Sequence, residues 1–226
     1  MVRLNAGESN PDEIERIARA ADVVRNGWQR TIDEVRSMAD AREEEGYDTL
    51  TVFAVDTAPV APDAGQNDYW GLSYLIGSDD AETVSAFDER TDFDETAVYQ
   101  NQMQGNVFIA TECIDLDAEA ILLIAGAYRM RQAPDLVRTA TDEGRMFSHI
   151  RQGDGTVVAS VEHADAESFF PEPEKFYAYE VTGTPADTLP DEAIEADAAD
   201  GDGGDADDAA ADGTDGDSAD DPADDS

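Results

Sequence analysis

The sequence predicts an α+β fold: one mostly antiparallel sheet with a long N-terminal helix packed on it, two short helices, and a disordered acidic C-terminal tail. Three observations carry that expectation. Ile121-Leu122-Leu123-Ile124-Ala125-Gly126-Ala127-Tyr128 is the longest uncharged apolar run and shows no polar alternation, so it reads as a strand buried on both faces in the middle of a sheet. Ile14, Ile17, Ala21, Val24, Trp28, Thr31, Val35 and Met38 recur in steps of three and four, the spacing of one helical face. Gln104-Gly105-Asn106 and Gly153-Asp154-Gly155 each join two β-rich runs, which marks two hairpins.

Taken in order, residues 1–9 read as a flexible N-terminus and residues 10–171 as one domain. Asn10 caps the first helix, Pro11 suits its first position, Glu13 completes a capping box, and Glu43-Glu44-Glu45-Gly46 ends it. Asn26-Gly27 is a point where this helix would kink or split. Tyr47 to Val55 is rich in β-formers and reads as a strand. Pro59, Pro62 and Gly65 mark a surface loop closing at Asn67-Asp68, and Trp70 to Ile76 reads as the next strand. Ser78 or Asp79 would cap a short helix over 80–87, and Asp88 to Glu95 is an acidic connector. Val98–Met103 and Val107–Ile114 form the first hairpin, and Asp115-Leu116-Asp117-Ala118 turns the chain into the central strand. Pro134 opens a second short helix over 134–143, with Leu136, Val137 and Ala140 inward and Gly144 as its stop. Met146–Gln152 and Thr156–Glu162 form the second hairpin, and Phe169-Phe170-Pro171 packs the end of this unit against the core. Residues 172–185 read as an extension with an edge strand over Lys175–Val181. From 186 to 226 the composition collapses to Asp, Ala, Gly and Thr, which buries too little apolar surface to offset the entropy of ordering.

Charge sets the strongest bound on function. The 226 residues carry 54 acids against 14 bases, a formal net charge of −40, and Lys175 is the only lysine. The tail holds 17 of the acids and none of the bases, so residues 1–185 still carry −23. Such a body repels itself in dilute buffer. In roughly molar salt the Debye length falls to about 3 Å and the repulsion is screened. The composition therefore predicts a protein of a salt-loaded cytoplasm. It predicts no nucleic-acid partner, because the body repels phosphate, and no membrane partner. The start of the chain shows no secretory leader, and no apolar run approaches the ~18 residues of a membrane span. The tail would associate loosely with solvent cations; Asp200 to Asp207 lacks the bidentate Glu of a calcium loop.

Candidate chemistry is sparse. No phosphate loop, metal signature or nucleophile motif is present, and no cofactor is expected. His149, His163 and Cys113 are the soft ligands available, and a lone buried thiol is the ordinary reading of Cys113. A two-residue Asp154-Gly155 turn sets His149 opposite Ser160 and His163 opposite Met146, which places the histidines some six residues, about 20 Å, apart and excludes a shared metal. Ser148 points away from its neighbour His149, whereas Ser160 lies across from it; His149, Ser160 and Glu112 are the candidate catalytic residues. Asp115 and Asp117 are explained by turn chemistry. Tyr69, Trp70, Tyr74 and Tyr128 form an aromatic group, with Trp70 and Tyr128 the candidate ligand-binding residues in a pocket between the loop 56–69 and the sheet.

Several segments carry a family resemblance. Trp28 with Asp33, Ala39, Ala41 and Gly46-Tyr47, then Ala125-Gly126-Ala127-Tyr128-Arg129, then Phe147-Ser148-His149-Ile150-Arg151, Asp154-Gly155-Thr156, Glu162-His163 and Phe169-Phe170-Pro171 resemble a domain family of unknown function found in extremely halophilic archaea. The resemblance covers about residues 10–171, agrees with the salt argument, and implies no catalytic or binding residue.

The function expected from these readings is a non-catalytic cytoplasmic binding or regulatory module adapted to high salt. A protein partner, or a second copy in a homodimer, would meet the helix 10–40. The alternative is a small hydrolase or transferase with His149 as general base.

Overall fold

The first helix, α1 (Pro11–Glu45), runs unbroken for 35 residues, about 52 Å. Gly27 neither kinks nor splits it. An added Cβ there would come within 2.7 Å of the Phe108 ring, so the missing side chain is what lets the helix lie against the sheet. The computed structural model describes residues 11–62 and 69–181. The N-terminal segment with its Asn10 cap, and the acidic tail from 186, lie outside the described residues.

Eight strands follow among the described residues: β1 (Asp48–Phe53), β2 (Asp56–Val60), β3 (Gly71–Leu75), β4 (Glu95–Met103), β5 (Asn106–Asp115), β6 (Ala120–Arg129), β7 (Met146–Arg151) and β8 (Val157–His163). Among them lie α2 (Ser78–Asp88) and α3 (Pro134–Glu143), and α4 (Pro173–Val181) closes the described chain. A short 3-10 turn, Met130–Gln132, precedes α3. The strands divide into two mixed sheets of four, ordered β1-β6-β5-β4 and β2-β3-β7-β8. This corrects the expectation of one mostly antiparallel sheet. The parallel pairs β1–β6 and β3–β7 join strands far apart in sequence. The chain changes sheets at Ala54-Val55: the Ala54 amide donates to the Ala125 carbonyl of the first sheet, and the next amide, Val55, donates to Leu75 of the second.

Strand β6 is interior to the first sheet, as its unbroken apolar run requires. Its alternate residues face two different layers. Ile121, Leu123 and Ala125 pack with Ala110 of β5 against Val35 and Ala39 of α1. Leu122, Ile124 and Tyr128 face the second sheet with Val107, Ile109 and Cys113, meeting Leu72, Tyr74 and Ile150 in the main core. Gly126 marks a close approach of the two sheets. A Cβ there would stand 2.5 Å from Thr57 Oγ1 and 2.6 Å from the Tyr74 ring.

Local chemistry explains the turns. Gln104 and Gly105, at φ 50° and 70°, form the two-residue turn of the β4–β5 hairpin. Asp115 accepts the Asp92 and Ala118 amides, at 2.7 and 2.8 Å, so its carboxylate organises the turn into β6. In the β7–β8 hairpin the loop is three residues, not two. The Gly155 amide donates to Gln152 and the Gln152 amide to Thr156, with Gly155 at φ 91°. Val158 is then left over as a bulge between Arg151↔Val157 and Ile150↔Ala159. Beyond the bulge the expected register holds: His149 opposes Ser160 and Met146 opposes His163. Those positions are three residues apart, about 10 Å, rather than about 20 Å.

Three further expectations change. Residues 56–60 form an edge strand rather than a loop, and an edge is where Pro59 is tolerated. Helix α2 starts at Ser78 behind Gly77, with no side-chain cap. Lys175–Val181 is helical, not an edge strand: Pro173 sits at its start and Phe176 and Tyr179, three apart, bury one face in the core alongside Leu136, Val137 and Ala140. The folded body thus extends beyond 171.

Candidate functional site

Parity along β7 separates two histidine sites. Odd-numbered residues Phe147, His149 and Arg151 point away from the first sheet, and even-numbered Met146, Ser148 and Ile150 point toward it. Register places Ser73 of β3 on one side of His149 and Ser160 of β8 on the other.

On the outer face of the second sheet, His149 is 6% exposed. Its Nε2 lies 2.9 Å from the Trp70 carbonyl oxygen and its Nδ1 lies 2.7 Å from Ser160 Oγ. The carbonyl only accepts, so Nε2 carries the proton and Nδ1 is the acceptor for the Ser160 hydroxyl. Tyr69 stacks on the imidazole at 4.0 Å, and Phe147 lies parallel to it at 5.8 Å. Trp70 meets the Phe147 ring edge-on. The Tyr69 hydroxyl and Arg151 Nε both reach Ser73 Oγ, at 3.1 and 2.7 Å. Arg151 makes no ion pair among the described residues. Ser160 is exposed while the ring it bonds is covered. Burial holds the His149 imidazole below its ordinary pKa, with the Trp70 carbonyl pulling the other way, so it is a neutral base at neutral pH.

The second histidine is enclosed between the sheets. His163 is 1% exposed, with Nδ1 2.8 Å from Thr96 Oγ1 and Nε2 2.9 Å from Ser148 Oγ. Its ring packs against Phe169 at 4.7 Å. Burial lowers its pKa to about 4, helped by the charge of His149 across the sheet. Ser148 thus serves the other histidine, on the opposite face from its neighbour.

The remaining candidates do not join His149. Glu112 faces α1 from the far side of the first sheet, 1% exposed, where Arg42 grips it through Nε and Nη2, both at 3.0 Å. That ion pair anchors the helix to β5 and raises the Arg42 pKa. Glu112 is therefore no catalytic partner of His149. Tyr128 is in the core between the sheets, its hydroxyl without a hydrogen-bond partner among the described residues and its pKa pushed well up by burial. Tyr74 is also interior. Of the aromatic group only Tyr69 and Trp70 stand on that side, and Trp70 is itself buried, 6% exposed, against Phe147 and the core. Cys113 is fully buried, its thiol pKa raised by that burial. Among the described residues no three His, Cys, Asp or Glu side chains come together as metal ligands, and no helix is long and apolar enough to cross a membrane.

Sequence reasoning missed Ser73 and Arg151. Arg151 shares a face with His149 by strand alternation, but Ser73, and the bond that holds Arg151 there, depend on the parallel β3–β7 pairing, which leaves no local signal. Two shallow grooves flank α1 as well. One, of about 520 Å³, runs past Thr31, Met38, Tyr99 and Phe108; the other, of about 300 Å³, past Ala21, Val24, Trp28 and Val55.

No curated protein matches the chain, and no solved structure does. Residues 14–171 match a family of unknown function, DUF7529, and the chain belongs to that family.

Proposed function

We propose that this chain is a cytoplasmic binding or regulatory module adapted to concentrated salt, and that it takes a small ligand on the outer face of its second sheet. One observation carries the reading. In an acid-rich chain, the end of the 61–70 connection brings Tyr69 and Trp70 onto a face that gathers His149, two serine hydroxyls and an arginine unpaired with any described carboxylate. The groups a ligand could meet there are the half-buried Tyr69 and Arg151 and the exposed Ser160, with Trp70, His149 and Ser73 buried behind them. Two-dimensional NMR of the full chain in ~3 M KCl, titrated with pools of cellular metabolites, tests this. The expected result is shifts at the Trp70 indole and His149 that vanish in Tyr69→Ala. A chain that gives no such shift with any pool contradicts it.

The salt adaptation has its own test. The body should melt sharply and cooperatively in ~3 M KCl and lose that transition in millimolar buffer, where the screening length grows beyond ~30 Å.

A second reading, contact with a protein or a second copy through α1, is favoured by exposed residues between 18 and 22 of that helix. Ala18, Ala21 and Asp22 are exposed, whereas Val35 and Ala39 farther along are buried on the sheet. Light scattering in ~3 M KCl tests the homodimer, and a monomeric mass ends it.

A further inference from the structure

We infer that the same outer face is an acyl-transfer centre in which Ser160 is the nucleophile and His149 the general base, acting on small carboxylic esters. The inference rests on the reading that this face takes a small ligand, and it goes beyond binding. Three features combine. The Ser160 hydroxyl is exposed, so an ester can reach it. Its proton points at His149 Nδ1, 2.7 Å away. The other ring nitrogen is held by the Trp70 carbonyl at 2.9 Å, which fixes the one tautomer that can accept that proton. A carbonyl here does the orienting work that a carboxylate does in a full triad. Arg151 is tied to Ser73 on the β3 side of His149, across the ring from Ser160, so the inference rests on the Ser160–His149–Trp70 chain and not on that arginine.

The chemistry balances without a further reactant. Ser160 Oγ forms a bond to the ester carbonyl carbon as its proton passes to His149 Nδ1. The tetrahedral oxyanion collapses, the carbon–alkoxide bond breaks, and the leaving alcohol takes the proton back from Nδ1. Water then attacks the acyl-serine through the same base, releasing the carboxylic acid and restoring the hydroxyl. Ser148, by contrast, is fully buried against His163 and cannot meet a substrate.

A fluorophosphonate probe, which phosphonylates an activated serine and expels fluoride, tests the inference on the full chain in ~3 M KCl. Mass spectrometry should place one adduct on Ser160. Ser160→Ala should abolish it. His149→Gln should slow labelling at least ~100-fold with the melt retained. Because only neutral His149 accepts the proton, the labelling rate should rise through one ionisation below pH 6.5 and then level off. The charged and titratable described groups around that ring are Tyr69 from the connection, Arg145 just before β7, Arg151 on β7, Glu162 on β8, and His163 through the sheet. A folded chain that stays unlabelled, an adduct on another residue, or wild-type labelling of His149→Gln would overturn the inference. Ligand shifts at Trp70 and His149 without an adduct would leave the binding reading standing and remove only the reaction. Absence of both removes both.

Discussion

One hairpin holds two histidine–serine pairs with nearly the same bonding and opposite circumstances. His163 bonds Ser148 at 2.9 Å between the sheets, and His149 bonds Ser160 at 2.7 Å on the outer face. The strands are the same; residue parity makes the difference. In the inner pair both partners are buried, so every ring nitrogen and hydroxyl is committed to holding the sheets together. In the outer pair the ring is covered but the hydroxyl is open. A Ser–His hydrogen bond is therefore no evidence of chemistry by itself. What separates a structural pair from a reactive one is access to the oxygen and a partner that fixes the tautomer.

The comparison breaks most visibly on stability. His163→Ala removes a fully enclosed ring and strands the Thr96 and Ser148 hydroxyls, and should cost about 3 to 5 kcal/mol. His149→Ala empties a site on the outer face of the sheet, where water can reach the Ser160 hydroxyl left behind, and should cost less, about 1 to 2 kcal/mol. Chemical unfolding in ~3 M KCl measures both, and equal losses would erase the distinction.

Acid titration should sharpen it next. The unfolded chain binds a proton at His163 below its ordinary pKa near 6.5, whereas the folded chain refuses it until about pH 4. The unfolded state therefore holds more protons in that window, and stability falls as pH drops. The contribution of neutral His163 is complete above pH 6.5, drains between 6.5 and 4, and is gone below 4. That amounts to about 3 kcal/mol. His163→Gln keeps hydrogen-bonding capacity but cannot titrate, so the difference between its stability–pH curve and that of wild type should show this slope. A flat difference curve would mean that the histidine already protonates easily in the folded state.

The serines give the smallest effect. Ser148→Ala leaves a buried imidazole nitrogen unpaired and should cost about 1 to 2 kcal/mol. Ser160→Ala, on the surface, should stay within about 0.5 kcal/mol of wild type in the same unfolding experiment.

Much of this contrast could be read before any coordinates. The expected two-residue Asp154-Gly155 turn is a three-residue loop, and Ser160 stands opposite His149 because the Val158 bulge restores the register; strand alternation put Ser148 on the other face. The helix of 35 residues, the buried central strand and the β4–β5 hairpin were legible for the same reason: each has a periodicity or turn chemistry contained within a short stretch. The division into two sheets was not. It depends on β1–β6 and β3–β7, parallel pairs between strands about 70 residues apart, and no local pattern announces them. Ser73, and the bond it makes to Arg151, were missed with that pairing. Glu112 was misassigned likewise, because its partner Arg42 is 70 residues away on α1. At Lys175–Val181 the β-forming Phe176, Tyr177 and Tyr179 pointed to a strand. Burial of Phe176 and Tyr179 in the core overrode that preference.

The position of one proton decides whether Ser160 has a base. Long-range 1H–15N NMR of the histidine rings, recorded in ~3 M KCl between pH 7 and 8, reports it directly. His149 should be a neutral ring protonated on Nε2, with Nδ1 showing the shift of an unprotonated nitrogen accepting a hydrogen bond, and that Nδ1 signal should move in Ser160→Ala. A His149 protonated on Nδ1 would leave Ser160 with no base and contradict the central claim.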